Sequence, residues 1–348
     1  MPRVTVLVPN FNGGTLLDEC LDSVQRQSFG DWCVVIGDNG SIDGSAERAA
    51  ARGDHRVRVV TRPHNVGWVT NMNLLLDEVV DGDVVAILHS DDWWEPDFLR
   101  TTVELLDRNP SALVAATGVY FDSEDGGTAV DGLWLDWPPA RGELCASPSA
   151  LRSLTTRNRL TAPAVVARRP LYDLVPRFDP TLPYCCDWLM WLRAARVGDI
   201  AVSGHALAHY RVHAANLTAA GQRAGLWALD KVRMHRIVLA DWARDGEPYP
   251  GAARQWTRRM TAILASMARE CAERDDREGA LFHARLAQAV APTMRDAVLC
   301  RLLEATLGAT TRGPLNALRG PMLRAGERVI GVRPTRRSVS ATAERSVA

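Results

Sequence analysis

Val84-Val85-Ala86-Ile87-Leu88-His89-Ser90-Asp91-Asp92-Trp93-Trp94 is the stretch that decides the fold. Its first five residues are apolar without alternation and rich in β-branching, the pattern of a parallel strand covered on both faces. The run stops at two adjacent carboxylates followed by two indoles. In open α/β sheets ligands sit beyond the carboxyl ends of the strands, so Asp91 and Asp92 emerge where a ligand is held. Two neighbouring carboxylates repel each other unless a cation or sugar hydroxyls occupy the site. The stretch predicts a metal-diphosphate site on the rim of a sheet.

Strand-like and helix-like segments alternate on either side of it. Strands are expected at Val4–Pro9, Trp32–Gly37, Val57–Thr61, Val84–Leu88 and Leu113–Val119. Helices are expected at Thr15–Gln27, at Asp43–Arg52 with Ser41 or Asp43 as N-cap, at Val66–Val79, and from Pro96 to about Arg108. Such alternation means a mostly parallel sheet flanked by helices, an α/β fold. Right-handed crossovers place the strand-end loops on one rim. From Phe121 to about Leu160 the pattern breaks into Gly, Pro, Asp and Trp, which reads as a functional loop. Regular structure returns at Val165-Val166, a helix Asp187–Arg196, and strands Ile200–Val202 and Ala206–Arg211. Beyond Thr218 the chain is Arg/Ala-rich, with helices expected near 222–244, 250–274, 276–291 and 294–308. Residues 306–348 hold eight Arg against two Glu and read as a flexible basic tail.

Hydrophobic residues make up 47% and charged residues 24% of the 348, which fits one large α/β domain plus an appendage. The formal net charge is zero, so overall charge does not point to nucleic acid. All 41 basic residues are arginine except Lys231, a composition bias rather than a functional signal. Seven scattered cysteines without C-x-x-C spacing suggest free thiols in a reducing compartment and no zinc site. The chain opens almost at once on a strand, and no apolar run approaches the roughly 20 residues that span a bilayer. A cytoplasmic protein without a signal peptide is expected. The Asn216-Leu217-Thr218 sequon is then expected to be unused.

Five strand-end features converge on one rim. Pro9-Asn10-Phe11-Asn12 sets an aromatic between amides, suited to stacking on a nucleobase and reading its edge. Gly37-Asp38-Asn39-Gly40-Ser41-Ile42-Asp43 offers Asp38 or Asn39 to the base, with Ser41 and Asp43 free to cap the next helix. The third, His64-Asn65-Val66-Gly67-Trp68, leads into a helix N-terminus, where Asn65 is either a phosphate contact or an N-cap. Asp91-Asp92 is the fourth. Asp187 at a helix start and His213 after a strand complete the set. No G-x-G-x-x-G follows the first strand, which counts against a dinucleotide cofactor. Nucleotidyl transfer lacks its basic Gly-rich phosphate loop near the N-terminus.

In this order and spacing the motifs resemble the family 2 glycosyltransferases of GT-A fold. The resemblance rests on Val6-Leu7-Val8-Pro9-Asn10-Phe11-Asn12, Asp38-x-x-Ser41-x-Asp43, Asn65-x-Gly67, Ser90-Asp91-Asp92, Asp187-Trp188 and Tyr210-Arg211-x-His213. It implies a catalytic domain over 1–220, followed by a helical region 221–308 and a basic tail 309–348. It also implies a nucleoside-diphosphate-sugar donor bound by Pro9, Asn10, Phe11, Asn12, Asp38, Asn39, Asn65 and Asp91, with Phe11 on the base and Asp91 on the ribose. Asp92 would ligate Mg or Mn, His213 would approach the same cation or the diphosphate, and Asp187 would be the general base of an inverting transfer. The cation would neutralise the departing diphosphate while one carboxylate takes the acceptor's proton. Three positions depart from the family's frequent pattern: His89 and Cys186 where acids are common, and Asn39 in place of a second Asp.

The acceptor, a saccharide, a lipid-linked or a small molecule, is expected on the irregular region with Trp134, Trp137, Pro138 and Pro139. Contact of 315–333 with anionic lipid and a homodimer are open expectations. A catalytically silent nucleotide-sugar-binding scaffold is the competing reading, and retention of Asp91, Asp92, Asp187 and His213 argues against it.

Overall fold

The computed structural model describes residues 1–78, 82–123, 126–130, 144–213, 221, 225–291 and 293. The expectations for Trp134, Trp137, Pro138, Pro139, the sequon, the helix 294–308 and the tail 309–348 lie outside these residues. The chain divides into two compact units, Met1–Met260 and Thr261–Ala348.

The first unit is built on a ten-stranded sheet. Its strands are β1 Val4–Asn10, β2 Trp32–Asp38, β3 Val57–Thr61, β4 Val84–Ile87, β5 Trp93–Trp94, β6 Ala112–Ser123, β7 Thr128–Val130, β8 Leu144–Cys145, β9 Val165–Arg168 and β10 Asp199–Val212. They lie in the order β3-β2-β1-β4-β9-β6-β10-β5, with β7 on β6 and β8 on β10. Strands β3, β2, β1 and β4 pair in parallel. β9 is antiparallel to both β4 and β6, which returns β6 and β10 to the direction of the first four. The sheet is therefore mostly parallel with one reversed strand near its centre. β1 and β4 are buried throughout, as near-continuous apolar strands covered on both faces should be.

Helices α1 Leu16–Gln25, α2 Ser45–Ala50, α3 Trp68–Glu78 and α4 Phe98–Arg108 follow the first strands. Connections leave β1 toward β2 and leave β4 toward the other side, so the strand order reverses between β1 and β4. A crevice at such a switch point is where open α/β sheets hold ligands. Helix α5, Ser149–Leu154, and the continuation of β6 to Ser123 replace part of the loop expected over 121–160. The strands expected at 200–202 and 206–211 form one strand, β10, whose register against β6 shifts between Val202 and Ala208.

Helix α7, Cys186–Val197, follows the short α6, Leu171–Leu174. The chain then continues into α8 Leu226–Asp245 and α9 Ala252–Glu273. Helix α8 belongs to the first unit: Arg193 on α7 pairs with its Asp241 at 2.9 Å. The second unit contains α10, Arg277–Val290, N-capped by Asp276, whose carboxylate accepts from the Gly279 amide. Among the described residues no helix is long and apolar enough to cross a membrane.

The core on one face of the sheet gathers Leu17, Leu21 and Val24 of α1 with Phe98, Leu99 and Leu106 of α4. Trp94 stacks on Phe98 with ring centroids 4.2 Å apart, and its indole N–H donates to the Pro163 carbonyl. Phe98→Ala should cost about 3–5 kcal/mol of unfolding free energy, because the fully buried ring leaves a cavity under Trp94. Urea denaturation checks this; a loss below about 1 kcal/mol would mean the site collapses without a cavity.

Candidate active site

A cavity of about 720 Å³ opens at the carboxyl ends of β1, β2 and β4. Pro9, Asn10, Phe11, Asn39, Asn65, His89, Asp91 and Asp187 line it, together with Trp68, Tyr184 and Tyr210. Asn12, Asp38, Asp92 and His213 do not line it. The expected site residues thus fall into those that face the cavity and those that shape its walls.

The wall begins with amides. Asn10 is buried, and its amide nitrogen lies 3.0 Å from Asp38 Oδ1, 3.1 Å from Ser45 Oγ and 3.2 Å from Ser41 Oγ. Asp38, also buried, accepts the Ser41 amide on its other oxygen. Asn39 donates to Asn65 Oδ1 at 2.9 Å and accepts the Val66 amide at 2.9 Å. Both ends of that carboxamide are thereby engaged within the protein. Asn12 takes a positive φ of 53°, and its side chain accepts the Ile42 amide. Asp43 accepts the Gly14 and Ser45 amides. Gly40 has φ 78°, and a Cβ there would stand 2.9 Å from the His64 backbone, so the two turns can touch only through a glycine. Phe11 is left 49% exposed, free to stack on a planar ligand.

The two adjacent acids part company. A turn in which the Asp92 amide donates to the His89 carbonyl sends the Asp92 side chain inward. Asp92 Oδ1 accepts the Arg211 amide at 3.0 Å, and His89 Nδ1 lies 3.5 Å from Oδ2. Asp91 turns toward the cavity instead, with His213 Nε2 3.0 Å from its Oδ2. The Arg211 guanidinium binds the Asp91 carbonyl, pairs with Glu19 and lies 4.5 Å over the Trp93 ring. Asp92, expected as the cation ligand, is thus buried behind the acid that meets the cavity. The β10 end that carries Arg211 and His213 holds both acids in place.

Asp187 sits in the first turn of α7, 2.6 Å from the Trp188 amide and 3.1 Å from Asn158 Nδ2. Burial pushes its pKa up, opposed by those two hydrogen bonds and by the charges of His89 and Lys231. The preceding Cys186 is buried and packs as a small hydrophobe. Trp68 caps this side, its indole donating to the Pro183 carbonyl and its ring edge-on to His89.

Asp91 with His213 suits a hard divalent cation such as Mg or Mn, since an oxygen and an imidazole leave positions for phosphate oxygens and water. Asp92 suits it less, because it is buried against His89 and does not line the cavity. No group of three or more His, Cys, Asp or Glu side chains is set to hold a metal among the described residues.

Residues 5–157 match the family described as Glycosyl transferase family 2. An uncharacterized glycosyltransferase of Haemophilus influenzae is 22% identical over 222 residues, 61% of this chain and 66% of its own. TarS 1–349 of S. aureus, solved in complex with UDP-GlcNAc, superposes with a TM-score of 0.60 at 15% identity, over 88% of this chain and 89% of that one. The mannosyltransferase PcManGT of Pyrobaculum calidifontis, in complex with GDP-Man and Mn2+, gives 0.56 at 19% identity, over 95% and 86%. These likenesses show the GT-A fold. The chain spans 15%, 66% and 59% of the lengths of three curated relatives that it matches.

Sequence reasoning missed Asn158, which lies 29 residues before its partner Asp187 and carries no motif. It quoted Arg211 and Trp68 inside motifs without assigning them a role.

Burial pushes the Asp92 carboxyl up to about 6. For His89 burial works downward, but Asp92 and Asp91 outweigh it and raise the imidazole. Both groups hold protons more tightly folded than unfolded, so unfolding free energy should fall as pH rises from about 4 to 7. The Asp92 share is on the order of 2–3 kcal/mol. Asp92→Asn should flatten that slope, measured by urea denaturation across the range. An unchanged slope would show that the buried carboxyl is not the group that titrates.

Proposed function

We propose that this chain is an inverting, metal-dependent transferase that moves a sugar from a nucleoside-diphosphate-sugar to an acceptor hydroxyl. The observation that carries the reading is one cavity faced by both Asp91 and Asp187, from the switch-point rim and the start of α7 respectively. Pro9, Asn10 and Phe11 form the nucleotide end, with the exposed Phe11 ring on the base. Asn39 and Asn65 shape that end through their mutual hydrogen bond, while Asn12 and Asp38 brace the turns beneath it.

Asp91 and His213 would hold the cation, and Asp92 would fix Asp91 through the shared Arg211. A bound Mg or Mn supplies charge neutralisation on the departing diphosphate. Asp187 acts as the general base: its carboxylate accepts the acceptor hydroxyl's proton as that oxygen attacks the anomeric carbon. The bond from that carbon to the diphosphate oxygen breaks, and its electron pair leaves with the diphosphate. One displacement inverts the centre, so no second nucleophile is needed. Burial makes Asp187 a stronger base, and the Asn158 and Trp188 hydrogen bonds aim it. We assign catalysis to residues 1–220, with 221–308 as a supporting helical region and 309–348 as a basic tail.

Transfer from a panel of UDP-, GDP-, dTDP- and CDP-sugars tests the base. Asp187→Asn should lower turnover by about 10²–10⁴-fold with nucleotide affinity kept within a few-fold; unchanged turnover would overturn the assignment. Calorimetry with UDP, GDP, dTDP and CDP, each with Mn, Mg or chelator, tests the cation site. Asp91→Ala should abolish the cation-dependent part of binding, and Asp92→Asn should leave most of it. The reverse pattern would return the cation to Asp92.

A further inference from the structure

Lys231 is the one lysine in a chain with 41 basic residues. It is 3% exposed, and it lies on α8 rather than on the sheet rim. Its ammonium sits 3.5 Å from the centroid of the Trp227 ring and 5.4 Å from that of Trp188, the residue that follows Asp187. Among the described residues no carboxylate oxygen comes within ion-pair distance of it. The neighbouring Asp230 is buried and accepts the Tyr184 amide at 2.8 Å, three residues before Asp187. One turn of α8 therefore grips the chain on both sides of Asp187, by a hydrogen bond before it and a cation on an indole after it.

We propose that Lys231 is a positioning residue that keeps Asp187 ionised and seated, acting through space and through the Trp188 ring. This rests on the reading of Asp187 as general base. A buried ammonium is costly, and nothing in the fold requires one here, because a methionine would fill the same volume. Its value lies in its charge. The ammonium lies against two indole faces, which offset part of the cost of burying its charge.

The charged and titratable groups around the pair come from three elements. His89 follows β4, Cys185 and Cys186 open α7, and Asp230 lies beside Lys231 and 3.4 Å from Arg233. His89 shares with Lys231 the lowering action on Asp187. Both thiols are driven upward by burial and so stay neutral. Asp230 is pushed up to about 6 by burial, so its negative charge is weakened toward acid pH. The cationic influence of Lys231 on Asp187 is left with little local competition there.

The test follows the carboxyl ¹³C signals of aspartate-labelled full chain through a pH titration, with Asp187→Asn assigning the resonance of Asp187. Lys231→Met should move the Asp187 titration to higher pH by on the order of one unit, about tenfold in ionised fraction on the acid side. Its melting temperature should stay equal to wild type or rise, since an uncompensated buried charge has gone. Lys231→Gln, which also removes the charge, should move the titration the same way, and it carries the test if Lys231→Met does not fold; Lys231→Arg, which keeps the charge, should leave it near its wild-type position. A purely structural lysine would give the opposite result, with the Asp187 titration unmoved and the Lys231→Met protein melting lower, and that overturns the inference. Transfer assays keep the two readings separable. Loss of transfer in Asp187→Asn with an unmoved titration in Lys231→Met sinks only the role of Lys231. Normal transfer in Asp187→Asn sinks the general base itself, however the titration behaves.

Discussion

The buried carboxamide side chains of Asn10 and Asn39, at the carboxyl ends of β1 and β2, must find partners, and the rest of the site depends on how they do so. Asn10 and Asn39 are nearly fully buried, and each reaches across to a turn belonging to another strand. Asn10 ties β1 to the turn before α2, and Asn39 ties that turn to the one before α3. A buried carboxamide left unpaired costs about 1–3 kcal/mol, so the three loops are held to one arrangement. That arrangement leaves Phe11 exposed and the crevice between β1 and β4 open. This end of the cavity is thus a by-product of satisfying buried side-chain amides at a switch point.

Much of this was legible in the sequence. The strands at 4, 32, 57 and 84, the helices between them, and the start of α7 at Asp187 follow from apolar runs, caps and periodicity. What escaped depends on direction and facing. β9 is four apolar residues inserted antiparallel between β4 and β6, and a short apolar run does not declare which way it points. The shifted register of β10 against β6 likewise leaves no mark in composition. Asp91 and Asp92 are identical in type, and only the turn closed by the His89 carbonyl decides which faces the ligand. Asn12 looked like a ligand group because it flanks Phe11, but its backbone in the left-handed region turns it onto Ile42. Partners far apart in sequence, such as Asn158 with Asp187, were unreadable for the same reason.

The acids of the site share a design that becomes clear only in three dimensions. Asp91 meets His213, Asp92 meets His89, and Asp187 feels Lys231, each partner arriving from a different neighbour in sequence or space. Buried ion pairs contribute little net stability, because desolvation offsets their attraction. Their effect is on protonation, where burial and partner charge act in opposite directions on the same carboxyl. Burial drives both Asp92 and Asp187 to hold their protons, and in each hydrogen bonds and a nearby cation oppose it.

What separates the three acids is what each one faces. A group whose proton is held tightly serves as a scaffold, as Asp92 does in accepting the Arg211 amide and fixing the end of β10. Asp91 lines the cavity with His213 Nε2 3.0 Å from its Oδ2, a carboxylate and an imidazole side by side. Asp187, with one hydrogen bond on each oxygen, from the Trp188 amide and from Asn158, keeps further lone pairs on a side chain that lines the cavity. Position along one rim, rather than residue type, separates the three acids: Asp91 and Asp187 line the cavity and Asp92 does not.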